Sequence, residues 1–158
     1  MPALRCLIDS MIFDAVAAEA GLASDVDRLT SAGRLELLAA PTSIVQVAAT
    51  PDPARRRLLQ RVRVLVVPPA GARAASREAV LALRRAPGVG YDDALIGAAA
   101  AEQDVPLVTE DRALAFAAAR LRPPVEVWRW EADLRPRIDA LAAELPPMAR
   151  RRPARTGP

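Results

Sequence analysis

Three aspartates stand where strand-like apolar runs meet helical runs: Asp9, Asp93 and Asp111. They draw notice because the chain offers little else for chemistry. It has no His, no Lys and no Asn, and its one Cys is Cys6. Serine and cysteine nucleophile sets that rely on imidazole are therefore excluded. So are the lysine-bearing phosphate loop and the Cys/His structural zinc site. Carboxylate, hydroxyl, arginine and backbone groups remain. Taken singly, each aspartate suits a helix N-cap, where its charge also meets the positive end of the helix dipole. Taken together they read differently. Asp9 and Asp111 lie just past the carboxyl ends of strands, and Asp93 lies in the helix that leads into the later strand. Open parallel sheets bind ligands in the crevice outside those strand ends. Carboxylates meeting there would repel one another, and no Lys or His exists to neutralise them. A hard divalent cation, Mg²⁺ or Mn²⁺, would, since it prefers carboxylate and water oxygens. Such a cation polarises a phosphodiester and supplies hydroxide. The residue inventory thus points to metal-assisted hydrolysis of nucleic acid.

The elements that must position these residues follow from periodicity. Residues 3–8 form an apolar run ending at Asp9, a buried strand. Helices are expected over 11–20, closed by Gly21, and over 25–32, stopped by Gly33. Residues 35–40 make a second strand. Residues 42–49 are ambiguous by period and lean to helix; Pro53 opens another through residue 60. Residues 62–67 are β-branched and apolar, a strand stopped by Pro68–Pro69. A helix over 76–84 takes Ser76 as its cap. Pro87, Gly88 and Gly90 make a loop. Residues 92–103 form the strongest helix, 105–109 a strand, 111–120 a helix and 125–130 a last strand. A terminal helix spans 132–145, begun or interrupted near Pro136. Strands alternating with helices define an α/β fold around a mainly parallel sheet.

Length and composition set outer limits. The 158 residues suit one domain, placed at 1–145, with a Pro/Arg-rich tail at 146–158 expected to be disordered. Apolar residues make up 52% and aromatics 3%, which favours close helix packing over aromatic platforms for RNA. Cys6 reads as a small core residue. All 22 basic residues are Arg, yet net charge is only +3, so local clusters count for more than the total. Arg84–Arg85, before the glycine loop, are candidates to hold RNA or an acidic partner. Arg55–Arg57 and Arg61–Arg63 fit either a phosphate-binding edge or a solvated helix face. Trp128 and Trp130 suit core or dimer packing. Asp9 interrupts what would be the apolar stretch of a signal peptide, and no run is long enough to span a membrane, so a cytoplasmic protein is expected.

Two segments resemble the PIN-domain nucleases. CLIDSMIFDA resembles their opening strand–Asp–Ser/Thr segment. YDDALIGAAAAEQDVPLVTEDR resembles their later Asp-Ala-Leu-Ile helix and the strand ending in Thr-x-Asp. The resemblance spans roughly residues 3–130 and implies a three-layer α/β/α fold. It also implies RNA cleavage with Mg²⁺ or Mn²⁺, often as the toxin of a toxin–antitoxin pair with an antitoxin protein as partner; a homodimer is left open by Trp128 and Trp130. By position, Asp9 and Asp93 match metal-holding residues, Asp111 the acidic residue acting on the metal or its water, Thr109 the hydroxyl before it, and Ser10 the small polar residue after the first Asp. One departure stands out. The family's middle-helix acid, often Glu, falls at Gln46, which brings no negative charge. This admits an alternative: a degenerate PIN fold that binds RNA or a protein without cutting. A phosphoacceptor domain of receiver or dehalogenase type also places Asp at strand ends, but would need the Lys this chain lacks.

Overall fold

A computed structural model describes residues 1–146. Five parallel strands form one sheet in the order β3-β2-β1-β4-β5: β1 Leu4–Ile8, β2 Leu35–Ala39, β3 Leu65–Val66, β4 Leu107–Val108 and β5 Val127–Trp128. Among the described residues eight α-helices connect or flank them. These are α1 Ser10–Ala17, α2 Ala20–Ser31, α3 Pro41–Ala48, α4 Pro53–Leu59, α5 Ala74–Arg84, α6 Tyr91–Gln103, α7 Arg112–Ala118 and α8 Arg135–Glu144. A π-helical turn, Trp130–Leu134, leads into α8.

The pleat divides the core in two. Along β1, Cys6 and Ile8 face one way and Leu7 the other, as a period of two requires. Cys6, Ile8, Leu37, Val108 and Trp128 pack with Phe13 and Val16 of α1, Leu22, Val26 and Leu29 of α2, and Ile138 of α8. Leu7, Leu38 and Leu107 pack with Val80 and Leu83 of α5, Ile96 of α6 and Leu114 of α7. The result is the three-layer α/β/α architecture expected. Trp128 and Trp130 both belong to the first core.

Helix α6 is buried along most of its length, so it shows little amphipathic contrast and needs small residues. A Cβ on Gly97 would stand 2.9 Å from Leu83 Cδ1 and 3.1 Å from Leu114 Cδ1. Glycine there lets α6 approach α5 and α7 at once.

Several boundaries differ from expectation. Helix α1 stops at Ala17, and Gly21 lies inside α2 instead of closing α1. Glu19 turns out into extended backbone at that joint, where Arg135 of α8 grips both its oxygens at 3.0 and 3.2 Å. The turn lets α2 bury Leu22, Val26 and Leu29. Ser76 does not cap α5, which begins two residues earlier; its hydroxyl accepts the Gly71 N–H at 2.6 Å. Strand β3 keeps two ladder residues, both exposed at the sheet edge. Strand β5 is equally short because Trp130 already belongs to the π-helical turn. Gly33 closes α2 as expected, with φ +66°. Among the described residues no helix is long and apolar enough to cross a membrane. The arginines of the tail at 150–152 and 155 lie outside the described residues.

Candidate active site

The strand order reverses between β1 and β4, because the chain leaves β1 towards β2 and β3 and returns on the other side with β4 and β5. That switch point opens a crevice at the carboxyl ends of the two strands. Asp9 follows β1 there, and Thr109 follows β4. The backbone fixes both: Asp9 N–H donates to Val108 O at 3.0 Å and Thr109 N–H to Trp128 O at 3.2 Å.

Asp9 is buried, with 4% of the residue exposed. Its Oδ1 accepts the Ser10 N–H at 2.6 Å, which caps α1, and the Ser10 hydroxyl at 3.3 Å. Its Oδ2 accepts the Thr109 hydroxyl at 2.8 Å. Thr109 Oγ1 in turn accepts the Asp111 N–H at 3.1 Å. This fully buried hydroxyl therefore ties the two strand-end aspartate segments together. Burial pushes the Asp9 carboxyl above its ordinary range; the Thr109 and Ser10 hydrogen bonds oppose that, and the Asp93 carboxylate adds to it. Asp9 forms no salt bridge among the described residues.

Asp93 is half-buried in the first turn of α6, at its third helical position, not at the cap. Gly90 holds the cap position, and its N–H donates to Asp93 Oδ2 at 3.3 Å. A Cβ on Gly90 would stand 3.4 Å from that oxygen. Asp111 is the N-cap of α7, with Oδ1 accepting the Leu114 N–H at 2.8 Å. Here the geometry corrects the sequence reading. Among the described residues no three carboxylates gather closely enough to hold one ion. The Asp93 carboxylate acts on Asp9 through its like charge, while Asp111 is engaged as a cap and is tied to Thr109 through its backbone N–H.

Gln46 lies on α3, which packs against α1 and α6, the helices that open at Ser10 and carry Asp93. Its Oε1 is buried without a hydrogen-bond partner, and so is the hydroxyl of Ser43 one turn earlier. Ser43 is fully buried, and sequence reading did not single it out; a serine inside an apolar helical run was the available signal. Orphaned buried oxygens cost free energy unless something pairs with them. Arg129 was also missed. Its Nη1 donates to Thr109 O at 3.2 Å, and Glu110 accepts the Trp130 N–H at 2.7 Å, so both brace the β4–β5 exit. Arg84 and Arg85 are exposed, with the Arg84 guanidinium 5.4 Å from the Tyr91 ring centre. Arg55 is committed to Asp14 by two hydrogen bonds at 2.9 and 2.8 Å. Glu36 pairs with Arg5, and Asp52 caps α4.

The donor set suits a hard cation held lightly. Two carboxylates of like sign, one buried and without a salt bridge among the described residues, gain from a nearby cation. Mg²⁺ commonly takes one or two carboxylates and keeps several waters.

The fold is α/β of PIN type, a parallel five-stranded sheet between helical layers. Two solved structures share it. The chain is similar to VapBC2 from Rickettsia felis, a structure bound to a DNA fragment from its promoter, with a TM-score of 0.56 at 13% identity, over 81% of this chain and 100% of that one. It is also similar to PAE2754 from Pyrobaculum aerophilum, with a TM-score of 0.57 at 20% identity, over 89% of this chain and 97% of that one. No family model matches the chain, and no curated protein does.

Proposed function

We propose that the protein is a Mg²⁺- or Mn²⁺-dependent endoribonuclease of PIN type, acting as the toxin of a toxin–antitoxin pair. The observation that carries this reading is the buried Asp9 carboxylate at the β1–β4 switch point, which forms no salt bridge among the described residues and which the Asp93 carboxylate pushes further up. Asp9 and Asp93 would hold the ion, and Gln46 would lend a neutral oxygen. The bound ion supplies Lewis acidity towards a phosphodiester oxygen and an activated water. The chain's own residues do the rest. Thr109 holds Asp9 Oδ2 in place and, through the Asp111 N–H, fixes the start of α7. Ser10 fixes the other Asp9 oxygen. Arg84 and Arg85 offer exposed charge for backbone phosphates beside the loop that precedes Asp93. Cutting of a quenched-fluorophore RNA with Mn²⁺ is expected from the parent and not from Asp9→Asn or Asp93→Asn. Equal cutting by parent and variants would defeat the assignment.

Gln46 favours a second reading, a PIN fold that binds RNA or a protein partner and no longer cuts. The same assay with Gln46→Glu separates the two. A silent parent restored by the added carboxylate would support the degenerate reading; an active parent would remove it.

A further inference from the structure

The chain spends few aromatics and buries most of them. Phe13, Trp128 and Trp130 lie in the core, while Tyr91 on α6 and Phe116 on α7 are 56% and 60% exposed. Phe116 borders a groove of about 630 Å³ between the end of α5 and α7. Alanines and Leu121 line its apolar part, and its charged lining is Arg85, Arg112 and Arg120 with no carboxylate. Among the described residues none of these three arginines is ion-paired. This sets them apart from Arg5, Arg28, Arg34, Arg55 and Arg135, each matched to an acid. The Arg120 guanidinium lies 3.3 Å from the Phe116 ring centre.

We propose that this groove docks an acidic amphipathic segment of a partner protein, its apolar side chains against Phe116 and the alanines and its carboxylates on the three arginines. Charge complementarity is the first argument: three unmatched guanidiniums offer forked donors to carboxylates. The second is the pairing of an exposed aromatic with arginine, the residue types that dominate interface energetics. RNA would use the arginines equally well but not the apolar floor, and the Arg120 guanidinium occupies a face of Phe116 on which a base would stack. The groove also adjoins the candidate active site. Arg112 directly follows Asp111, and a Cβ on Gly88, in the loop before Asp93, would stand 3.2 Å from Ala113 Cβ. A segment seated there borders both the α7 cap and that loop. The proposal does not depend on nuclease activity.

The test is fluorescence anisotropy of a fluorescein-labelled amphipathic peptide built from Glu, Ala and Leu, titrated with the full chain. The parent is expected to bind it and not its Lys-for-Glu counterpart. The combined Arg85→Glu, Arg112→Glu and Arg120→Glu variant should weaken binding at least about tenfold, equivalent to ~1.4 kcal/mol. Phe116→Ala, which carries little folding risk at an exposed site, should weaken it several-fold. Reversing Arg57, Arg61 and Arg63, at and just beyond α4, should leave it unchanged. No binding by the parent, or equal loss in the α4 set, overturns the proposal. So does displacement of the peptide by oligouridylate whose own binding shows the same dependence on Phe116.

Discussion

Replacing Thr109 with Val probes the hinge of the site, because the side chain keeps its shape and loses one oxygen. That oxygen donates to buried Asp9 Oδ2 at 2.8 Å and accepts the Asp111 N–H at 3.1 Å. A hydrogen bond to a charged group contributes ~1.5–3 kcal/mol and a neutral one ~0.5–1.5 kcal/mol. The variant should therefore lose about 2–4 kcal/mol at neutral pH. For a chain of this size each kcal/mol lowers Tm by ~2–4 °C, so a fall of roughly 8 °C is expected. Thr109→Ser, which retains the hydroxyl, should recover most of it. The penalty should also grow with pH. Folding raises the Asp9 carboxyl above its unfolded value, so Asp9 adds stability below the ordinary aspartate range, and that increment is lost as pH rises through its folded value. Thr109 holds the folded value down. Without it the folded carboxyl binds its proton more tightly, and more stability is lost on the alkaline side. Melting curves of parent and variant across acidic to neutral pH, in EDTA, measure this. A Tm unchanged by Thr109→Val, or a penalty that shrinks as pH rises, would refute the coupling of Thr109 to the buried Asp9 carboxyl.

Two further outcomes follow from the core. Burial pushes the Cys6 thiol up to about 12, so a thiol reagent should leave it untouched at neutral pH in the folded protein and modify it fully in denaturant; rapid labelling under native conditions would contradict its placement on β1. Gly97→Val should destabilise the protein by ~1–3 kcal/mol or more in denaturant titration, since its first added carbon already crowds Leu83 and Leu114. A neutral result would mean that α5, α6 and α7 do not meet as closely as described.

The parts of this architecture written in local periodicity were legible before any coordinates. The run before Asp9, Gly33 as a helix stop and Pro53 at a helix start each rest on a rule that neighbours need not complete. Cys6 as a core residue of the first strand was legible in the same way. What failed was set by tertiary partners. Gly21 marks no boundary because the joint is fixed by Glu19 and a helix more than a hundred residues away. Strand β3 is short because its ladder to β2 spans only two residues, a matter of sheet edge and not of β-propensity. The site divides in the same way. Asp9 and Asp93 drew notice because carboxylates at strand–helix junctions stand out in a chain without Lys or His. Asp111 caps α7, as its place before a helical run allows, but that Thr109 links it to Asp9 depends on side-chain direction at a turn, which spacing does not encode. The orphaned oxygens of Ser43 and Gln46 were equally hidden, since an unpaired atom is defined by everything around it.

Titrating Mn²⁺ into the metal-free protein, with bound ion counted by electron paramagnetic resonance, bears most directly on the pairing of Asp9 with Asp93. The parent should take up one ion, and Asp9→Asn and Asp93→Asn should each bind it at least about tenfold more weakly, a loss of ~1.4 kcal/mol. A parent that binds no Mn²⁺, or variants that bind it as well as the parent does, would contradict a divalent centre on these two carboxylates.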